Sequence, residues 1–493
     1  MLFNSLQFLI FFPVVVSVYF FLPHKHRWLW LLLASCYFYM CWKPIYILLI
    51  FISSGIDYWV ALRIEKTSQK ARCRKYLMIS LLSNLGILFV FKYFNFFNSS
   101  LAKLFGYFRA DYPIPAAHLV LPVGISFYTF QALSYTIDVY RGDMKAKKHF
   151  GIFGLYIMYF PQLVAGPIER STRLLSQFYD RHEFGYKRVT DGLKLMAWGF
   201  FKKVVIADRL AVFVSKVYDS PSQFEGLPLI LATLFFAFQI YCDFSGYSDI
   251  GIGAAQVMGI KLMDNFNRPY FSKSIAEFWK RWHISLSTWF KDYLYIPLGG
   301  NRVSPKRYQF NLFFTFLVSG LWHGANWTFV IWGALHGSYL LFSIWTKGIR
   351  RKWAEVMGLT QIPRAHRYLQ ICVTFSLVCF SWIFFRARTI SDAFYIITHL
   401  FSGMGDQIRH LADPEVRTWN LYLYQTKEEF LIAVFSILFM EFVHLIQRHG
   451  SIRHMLSEKP IWVRWPLYYT VVLCILLFGK ISSGAKQFIY FQF

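Results

Sequence analysis

Apolar runs about as long as a bilayer is thick recur along this chain from end to end, and no other sequence feature restricts the fold so strongly. They occupy residues 2–22, 28–42 with a continuation through 45–62, 77–97, 119–137, 150–164, 227–241, 309–332, 369–385, 430–446 and 463–478. By the ~20-residue rule they make roughly eleven transmembrane or re-entrant helices. Of 493 residues 56% are hydrophobic and 21% aromatic, with a mean hydropathy of +0.38, more than a soluble surface accommodates. No stretch large enough for a separate soluble domain is left over. The expected fold class is therefore an all-α polytopic membrane protein, with residues 1–493 forming one integral-membrane domain. The opening MLFNSLQFLIFF has no basic n-region and no small-residue cleavage site before Pro23, so it reads as a first span.

Charge gives an orientation. The chain has 52 Lys and Arg against 26 Asp and Glu, a net charge of +26. Basic residues gather in alternate loops: Lys25 and Arg27; Arg63, Lys66, Lys70, Arg72, Arg74 and Lys75; Arg141, Lys145, Lys147 and Lys148. The intervening connections carry little charge. Positive loops stay cytoplasmic, which puts the N-terminus on the outer side, and attraction to anionic lipid accounts for the excess. No nucleic-acid partner is expected, because no soluble module is present to bind one. The seven cysteines lie mostly within apolar runs, form no CxxC pair and read as small buried hydrophobes.

Texture changes in the middle. Segments such as LPVGISFYTFQALSYTIDVYRG (121–142), FPQLVAGPIER (160–170) and YCDFSGYSDIGIG (241–253) mix polar residues, Gly and Pro at membrane-like hydropathy. Broken helices and charges survive at that depth when buried in protein or lining a wet cavity. Residues 115–345 are accordingly expected to form a catalytic core around an internal chamber, with 1–114 and 346–493 as scaffold. Asp243 and Asp249 flank Gly246; they are read either as pocket groups or as partners for backbone freed at a helix break, the second preferred. The turn at 166–168 is expected to end a helix, with Glu169 and Arg170 available to pair with each other.

Histidine is the natural carrier of proton chemistry near neutrality. Of fourteen, His24, His26, His149, His182, His366, His410, His449 and His454 lie in basic or loop contexts. His118 sits at a span boundary, and His399 and His444 stand alone on apolar segments as expected structural residues. Three remain. His283 lies in SIAEFWKRWHISLSTWFKDYLYIPLGG (274–300), where Ser274 and Glu277 have capping-box spacing and Pro297 with Gly299 and Gly300 ends the helix. On one continuous helix Trp279, Trp282, His283 and Leu286 share an aromatic face, while Lys280, Arg281 and Lys291 lean elsewhere, so His283 reads equally as a packing residue and as a working one. His323 lies in VSGLWHGANWTFVIWGALHG (318–337), read as one spanning segment. Beside Trp322 and Asn326, with Gly320 and Gly324 allowing close approach, a histidine at that depth is costly unless partnered. Burial favours its neutral form, which accepts a proton. His336, near the other end of that segment, is read as structural. No histidine pair has i, i+3 or i, i+4 spacing and no HExxH occurs, so no metal is expected. P-loop and G-x-S-x-G patterns are absent as well.

These residues, taken together, resemble a known family. MLFNSLQFLIFFP, SFYTFQALSYTIDVYRG, FPQLVAGPIER, FSGYSDIGIG, NFNRPYFSKSIAEFWKRWHISLSTWFKDYLYIPLGGNR, GLWHGANWTFVIWGALHG and the closing FIYFQF are similar to the membrane-bound O-acyltransferase (MBOAT) superfamily, and within it to the bacterial alginate O-acetylase type. The resemblance implies a ring of tilted helices around a central tunnel, with His323 as the superfamily's tunnel histidine and His283 at its second, variable position. It also implies a bacterial inner-membrane enzyme. Such an enzyme takes acetyl groups from cytoplasmic acetyl-CoA to extracytoplasmic SGNH-like acetyltransferase partners, which work with the export machinery of a polysaccharide such as alginate. Under that reading His323 is a general base, or alternatively an acetylated nucleophile, and His283 orients the donor or stabilises an oxyanion. Lys280, Arg281 and Lys291 are candidate contacts for the cofactor's phosphates. Trp279, Trp282, Asp243, Asp249, Trp322 and Asn326 are candidate pocket residues. A D-alanyl or peptidoglycan O-acyltransferase of the same fold stays open, as does a transporter or channel.

Overall fold

In the computed structural model, which describes residues 1–164, 166–480 and 489, every regular element among the described residues is a helix. Seven helical stretches among the described residues are long and apolar enough to cross a membrane: Pro44–Glu65, Lys70–Tyr107, Leu227–Val257, Trp327–Trp345, Pro363–Arg386, Lys427–His449 and Ile461–Phe478. Shorter apolar helices accompany them, including Leu6–Phe21. The last span shows why lipid is the solvent: none of its spanning window is buried, and Leu473, Leu476 and Leu477 are exposed. Such an apolar face is stable against lipid tails and not against water. The protein is a multi-pass membrane protein.

The chain divides into two compact units, Met1–Met196 with Ser248–Met263, and Ala197–Tyr247 with Asp264–Phe493. In the first, α1 (Leu6–Phe21), α2 (His24–Met40), α3 (Ile47–Glu65), α4 (Lys70–Leu88), α5 (Ile125–Arg141) and α6 (Phe150–Met158) are joined by polar glue. Asp57 on α3 is fully buried and accepts hydrogen bonds from Ser80 at 2.5 Å and Asn84 at 2.9 and 3.0 Å on α4, and from Thr136 on α5 at 3.3 Å. Several partners for one buried carboxylate tie three helices together where apolar contacts alone give no specificity. Two expected spans are shorter than their apolar runs. The run 119–137 becomes helical only at Ile125, because Gly124 (φ +76°) turns the chain where a Cβ would lie 2.6 Å from the Leu163 carbonyl oxygen. The run 150–164 is interrupted at Tyr159, after which Phe160–Leu163 restarts with Pro161 in its first turn. Glu169 accepts from the Met263 amide. A cleft of about 510 Å³ lined by Ile10, Phe11, Val14, Trp30, Leu33 and Tyr37 opens between α1 and α2, and none of the three central histidines lines it.

Helix α7 (Leu227–Val257) runs unbroken through Gly246. This corrects the expected break between Asp243 and Asp249. Gly246 serves close packing instead, since a Cβ there would meet the Gly199 carbonyl at 2.8 Å. In the second unit follow α8 (Ile275–Arg281), α9 (Ile284–Phe290), α10 (Pro305–His323), α11 (Trp327–Trp345), α12 (Pro363–Arg386), α13 (Lys427–Ile446) and α14 (Ile461–Phe478). Buried residues of α7, α8, α11, α12 and α13 meet in an aromatic core that includes Trp282, Trp332, Trp382 and Phe385.

Candidate active site

Ser274 caps α8 as expected, accepting from the Glu277 amide at 3.2 Å, while the Glu277 carboxylate accepts from the Lys273 amide at 2.8 Å. The helix does not continue through His283, contrary to the single-helix expectation. It stops at Arg281 and α9 begins at Ile284, with His283 between them at φ +43°, ψ +54°. The cause is a distant stretch of chain. The Asn267 amide donates to the Arg281 carbonyl at 2.9 Å, and the Ile284 amide donates to the Asn265 carbonyl at 3.0 Å. The Asn265 side-chain oxygen then accepts from the Ser285 amide at 3.2 Å and the Ser285 hydroxyl at 2.9 Å. Residues 265–267 thus take the backbone bonds that a continuous helix would have used. A left-handed conformation costs a residue with a Cβ roughly 1–2 kcal/mol and persists only where neighbours impose it. Trp279, Trp282, His283 and Leu286 are all buried, so the aromatic stripe survives the break.

His323 also sits at a helix end. The segment expected as one span is a hairpin of α10 and α11, joined through Gly324 (φ −158°) and capped by Asn326, whose side chain accepts from the Thr328 amide at 3.1 Å. Asn326 also donates to the Arg388 carbonyl at 3.0 Å. Gly320 and Gly333 let the two helices touch, because a Cβ on Gly320 would lie 2.3 Å from the Phe329 carbonyl oxygen. At Gly324 a Cβ would lie 2.2 Å from the Phe329 ring. Glycine at these positions brings α11 against the turn that carries His323.

The break and the hairpin bring His283 and His323 together. Their ring centroids are 6.4 Å apart and their planes nearly perpendicular, at 86°. Both rings are buried. Phe244 lies 4.6 Å and Trp322 6.1 Å from His283, while Trp332 lies 4.9 Å and Phe385 5.4 Å from His323. On its other side Trp332 contacts His336, also at 4.9 Å. The Trp279 indole N–H donates to His336 Nδ1 at 3.2 Å, which leaves the neutral ring's proton on Nε2. His336 Nε2 and the indole nitrogens of Trp282 and Trp332 meet no acceptor among the described residues. The cage thus holds two imidazoles able to exchange a proton within buried aromatic walls.

The other candidates lie elsewhere. Asp243 belongs to a buried ion cluster in which Lys203 Nζ reaches it at 2.5 Å and Asp208 at 2.9 Å; its second oxygen accepts from the Ile489 amide at 2.7 Å. Asp249 is half-buried on the part of α7 that belongs to the first unit. Lys280 and Lys291 are exposed, and Arg281 pairs with Glu277 at 2.6 Å. The closing FIYFQF lies outside the described residues apart from Ile489. Phe244, Trp332, Phe385 and Asn265 were not singled out by sequence, since each acts through a contact remote along the chain. His323 did carry a signal, the cost of placing imidazole in an apolar run. His444 shows more than its isolation suggested: Nε2 meets the Tyr241 hydroxyl at 3.1 Å and Nδ1 lies 3.5 Å from Glu441.

A family model described as membrane-bound O-acyltransferase matches residues 149–385, which include all three central histidines. A probable alginate O-acetylase AlgI of Pseudomonas aeruginosa is 41% identical over 404 aligned positions, covering 82% of this chain and 75% of its own length. Its counterpart from Pseudomonas putida is 35% identical over 508 positions and covers 100% of both chains. A peptidoglycan O-acetyltransferase of Helicobacter pylori is 33% identical over 508 positions, covering 94% of this chain and 91% of its own.

Proposed function

The chain belongs to the membrane-bound O-acyltransferase family, and from that premise we propose that this multi-pass O-acyltransferase moves acetyl from acetyl-CoA to hydroxyls of an exported polymer. The observation that carries the reading is the 6.4 Å juxtaposition of His283 and His323 in one aromatic cage. In the proposed reaction His323 takes the proton of an incoming hydroxyl as its oxygen attacks the thioester carbonyl carbon. The C–O bond forms, the C–S bond breaks, and the imidazolium returns the proton to the departing thiolate. General-base assistance of this kind supplies roughly 10²–10⁴-fold in rate. An N–H of His283 hydrogen-bonds the developing oxyanion, and the dry aromatic walls strengthen that bond by excluding water.

The reading includes cytoplasmic acetyl-CoA, a bacterial inner membrane with the N-terminus outside, residues 115–345 as catalytic core, and an extracytoplasmic SGNH-like partner within polysaccharide export machinery. Alginate-like polymer is the preferred acceptor because probable alginate O-acetylases are among the relatives covering most of the chain. Peptidoglycan is the second reading, favoured by the Helicobacter pylori relative. The test measures ester-linked acetyl on exported polysaccharide and on cell wall in three strains: a deletion, the deletion restored with wild type, and the deletion restored with His323→Ala, at matched membrane levels. Acetyl should vanish in the first, return in the second on one polymer, and stay absent in the third. Full restoration by His323→Ala would remove His323 from the chemistry.

A further inference from the structure

Between α11 and α12 the chain forms one more helix, Lys347–Val356. Its level is set from both sides. Phe342, Ile344 and Trp345 are exposed at the end of α11, and Tyr368 and Leu369 are exposed near the start of α12, as suits spans that face lipid. The helix between them therefore lies where the hydrocarbon ends, bracketed by Trp345 and Tyr368, residue types that favour the membrane–water boundary. Thr346 closes α11 and opens this helix, and Arg350 fastens the two together. Arg350 Nη2 donates to the Ser343 carbonyl at 2.7 Å and to Ser343 Oγ at 3.0 Å, and its Nε donates to Thr346 Oγ1 at 3.2 Å. At the far end Gly358 (φ +67°) stops the helix, where the Leu359 amide donates back to the Ala354 carbonyl at 2.9 Å.

This helix is two-faced. Ile349, Trp353, Val356 and Met357, at i, i+4, i+7 and i+8, share one side, and all four are exposed, Val356 by 85%. Ala354, turned away from that side, is its one buried residue. Lys347, Arg351 and Lys352 are exposed around the rest of the circumference. From Trp345 to Tyr368 six basic residues stand against one acidic residue, Glu355, which lies 3.6 Å from Arg351. An uncovered apolar face on a basic helix, joined at both ends to spans, suits the headgroup layer, and the sign of the charge selects anionic lipid. Basic loops belong to the cytoplasmic side, whose leaflet carries such lipid. A helix is about 10 Å across, close to the screening length in physiological salt, so charges behind the apolar face still feel the headgroups. We propose that Lys347–Val356 is an interfacial helix that docks on anionic phospholipid of the cytoplasmic leaflet. Its Ile349, Trp353, Val356 and Met357 enter the acyl boundary, and Lys347, Arg351 and Lys352 meet the phosphates. Through Arg350 the contact pins the end of α11, the helix that carries Trp332 and His336. The inference is independent of the acyl donor and of the roles of the histidines.

The experiment places the full-length protein in nanodiscs of phosphatidylcholine alone or of phosphatidylcholine with phosphatidylglycerol, and follows amide hydrogen exchange over residues 347–357. Wild type should exchange more slowly in the anionic discs. Arg351→Gln with Lys352→Gln should lose that protection by roughly fivefold per charge removed, while Arg351→Lys with Lys352→Arg keeps it. Ile349→Ser with Trp353→Ser should speed exchange in both lipids. All four positions are exposed, so these variants keep the fold. Arg72→Gln with Lys75→Gln removes the same charge from an exposed pair in another basic segment and should leave exchange over 347–357 unchanged. Equal wild-type exchange in the two lipids overturns the proposal. Equal loss of protection in the Arg72 and Lys75 variant also overturns it, by making the attraction a property of total charge. Protection that is absent in both lipids and arises only when cytoplasmic protein is added overturns it in favour of a protein partner.

Discussion

The Asn265 clamp should control catalysis by fixing the bend that carries His283. Asn265→Ala deletes the acceptor of two hydrogen bonds, from the Ser285 amide at 3.2 Å and the Ser285 hydroxyl at 2.9 Å, at a fully buried position. Each neutral bond contributes about 0.5–1.5 kcal/mol net, and leaving the buried donors unmet adds to that, so a loss of roughly 2–4 kcal/mol is expected. The structural consequence is specific. Ser285 lies two residues after His283, and without the clamp nothing in the side chain of residue 265 holds the chain in its left-handed bend. Misplacement of a catalytic group by ~1 Å costs about 10²-fold in rate, so acetyl transfer by membrane vesicles should fall by that order. Ser285→Ala removes only the hydroxyl bond and should cost about 1 kcal/mol with a milder loss of rate. Adding Ser285→Ala to Asn265→Ala should cost little more, since the hydroxyl has already lost this acceptor. Unfolding midpoints in detergent and labelled-acetyl transfer at matched protein levels measure both effects. Wild-type transfer by Asn265→Ala would refute the clamp as the determinant of His283 placement.

Three further outcomes follow from the packing. Gly320→Ala puts a methyl 2.3 Å from the Phe329 carbonyl, which must push α10 and α11 apart; a destabilisation of about 1–3 kcal/mol and reduced transfer are expected, and unchanged unfolding and rate would count against the hairpin contact. Lys203→Met leaves Asp208 and Asp243 buried without their shared cation, so accumulation in membranes should collapse by about 3–5 kcal/mol of lost stability; Lys203→Met with Asp243→Asn should recover part of it in a quantitative blot. Trp279→Phe removes the donor that fixes His336, with about 1 kcal/mol of stability and several-fold of transfer lost; retention of full rate would make that hydrogen bond incidental.

Much of this was legible in the sequence. The apolar runs read correctly as a multi-pass helical protein, the cost of imidazole beside Trp322 singled out His323, and the family resemblance brought His283 beside it as a candidate. The signals that failed were local ones read without their partners. Residues 274–290 have helical periodicity throughout, yet Asn265 and Asn267 intervene from outside and break the helix at His283. The run through 318–337 is apolar from end to end, although Asn326 ahead of Trp327 and Thr328 is an N-cap pattern that marks the restart. Asp243 and Asp249 around Gly246 suggested a broken helix, whereas the carboxylate of Asp243 is held by Lys203, forty residues earlier, and by the distant Ile489 amide.

The central claim is acyl transfer from a thioester through His323, and one measurement meets it directly. Inside-out membrane vesicles from the deletion strain, carrying wild type, His323→Ala or His283→Ala at equal levels, are given acetyl-labelled CoA thioester, and label in alkali-labile ester linkage is counted over time. The account predicts wild-type incorporation, loss of at least about 10²-fold with His323→Ala, and a substantial but smaller loss with His283→Ala. Equal incorporation by wild type and His323→Ala would contradict it.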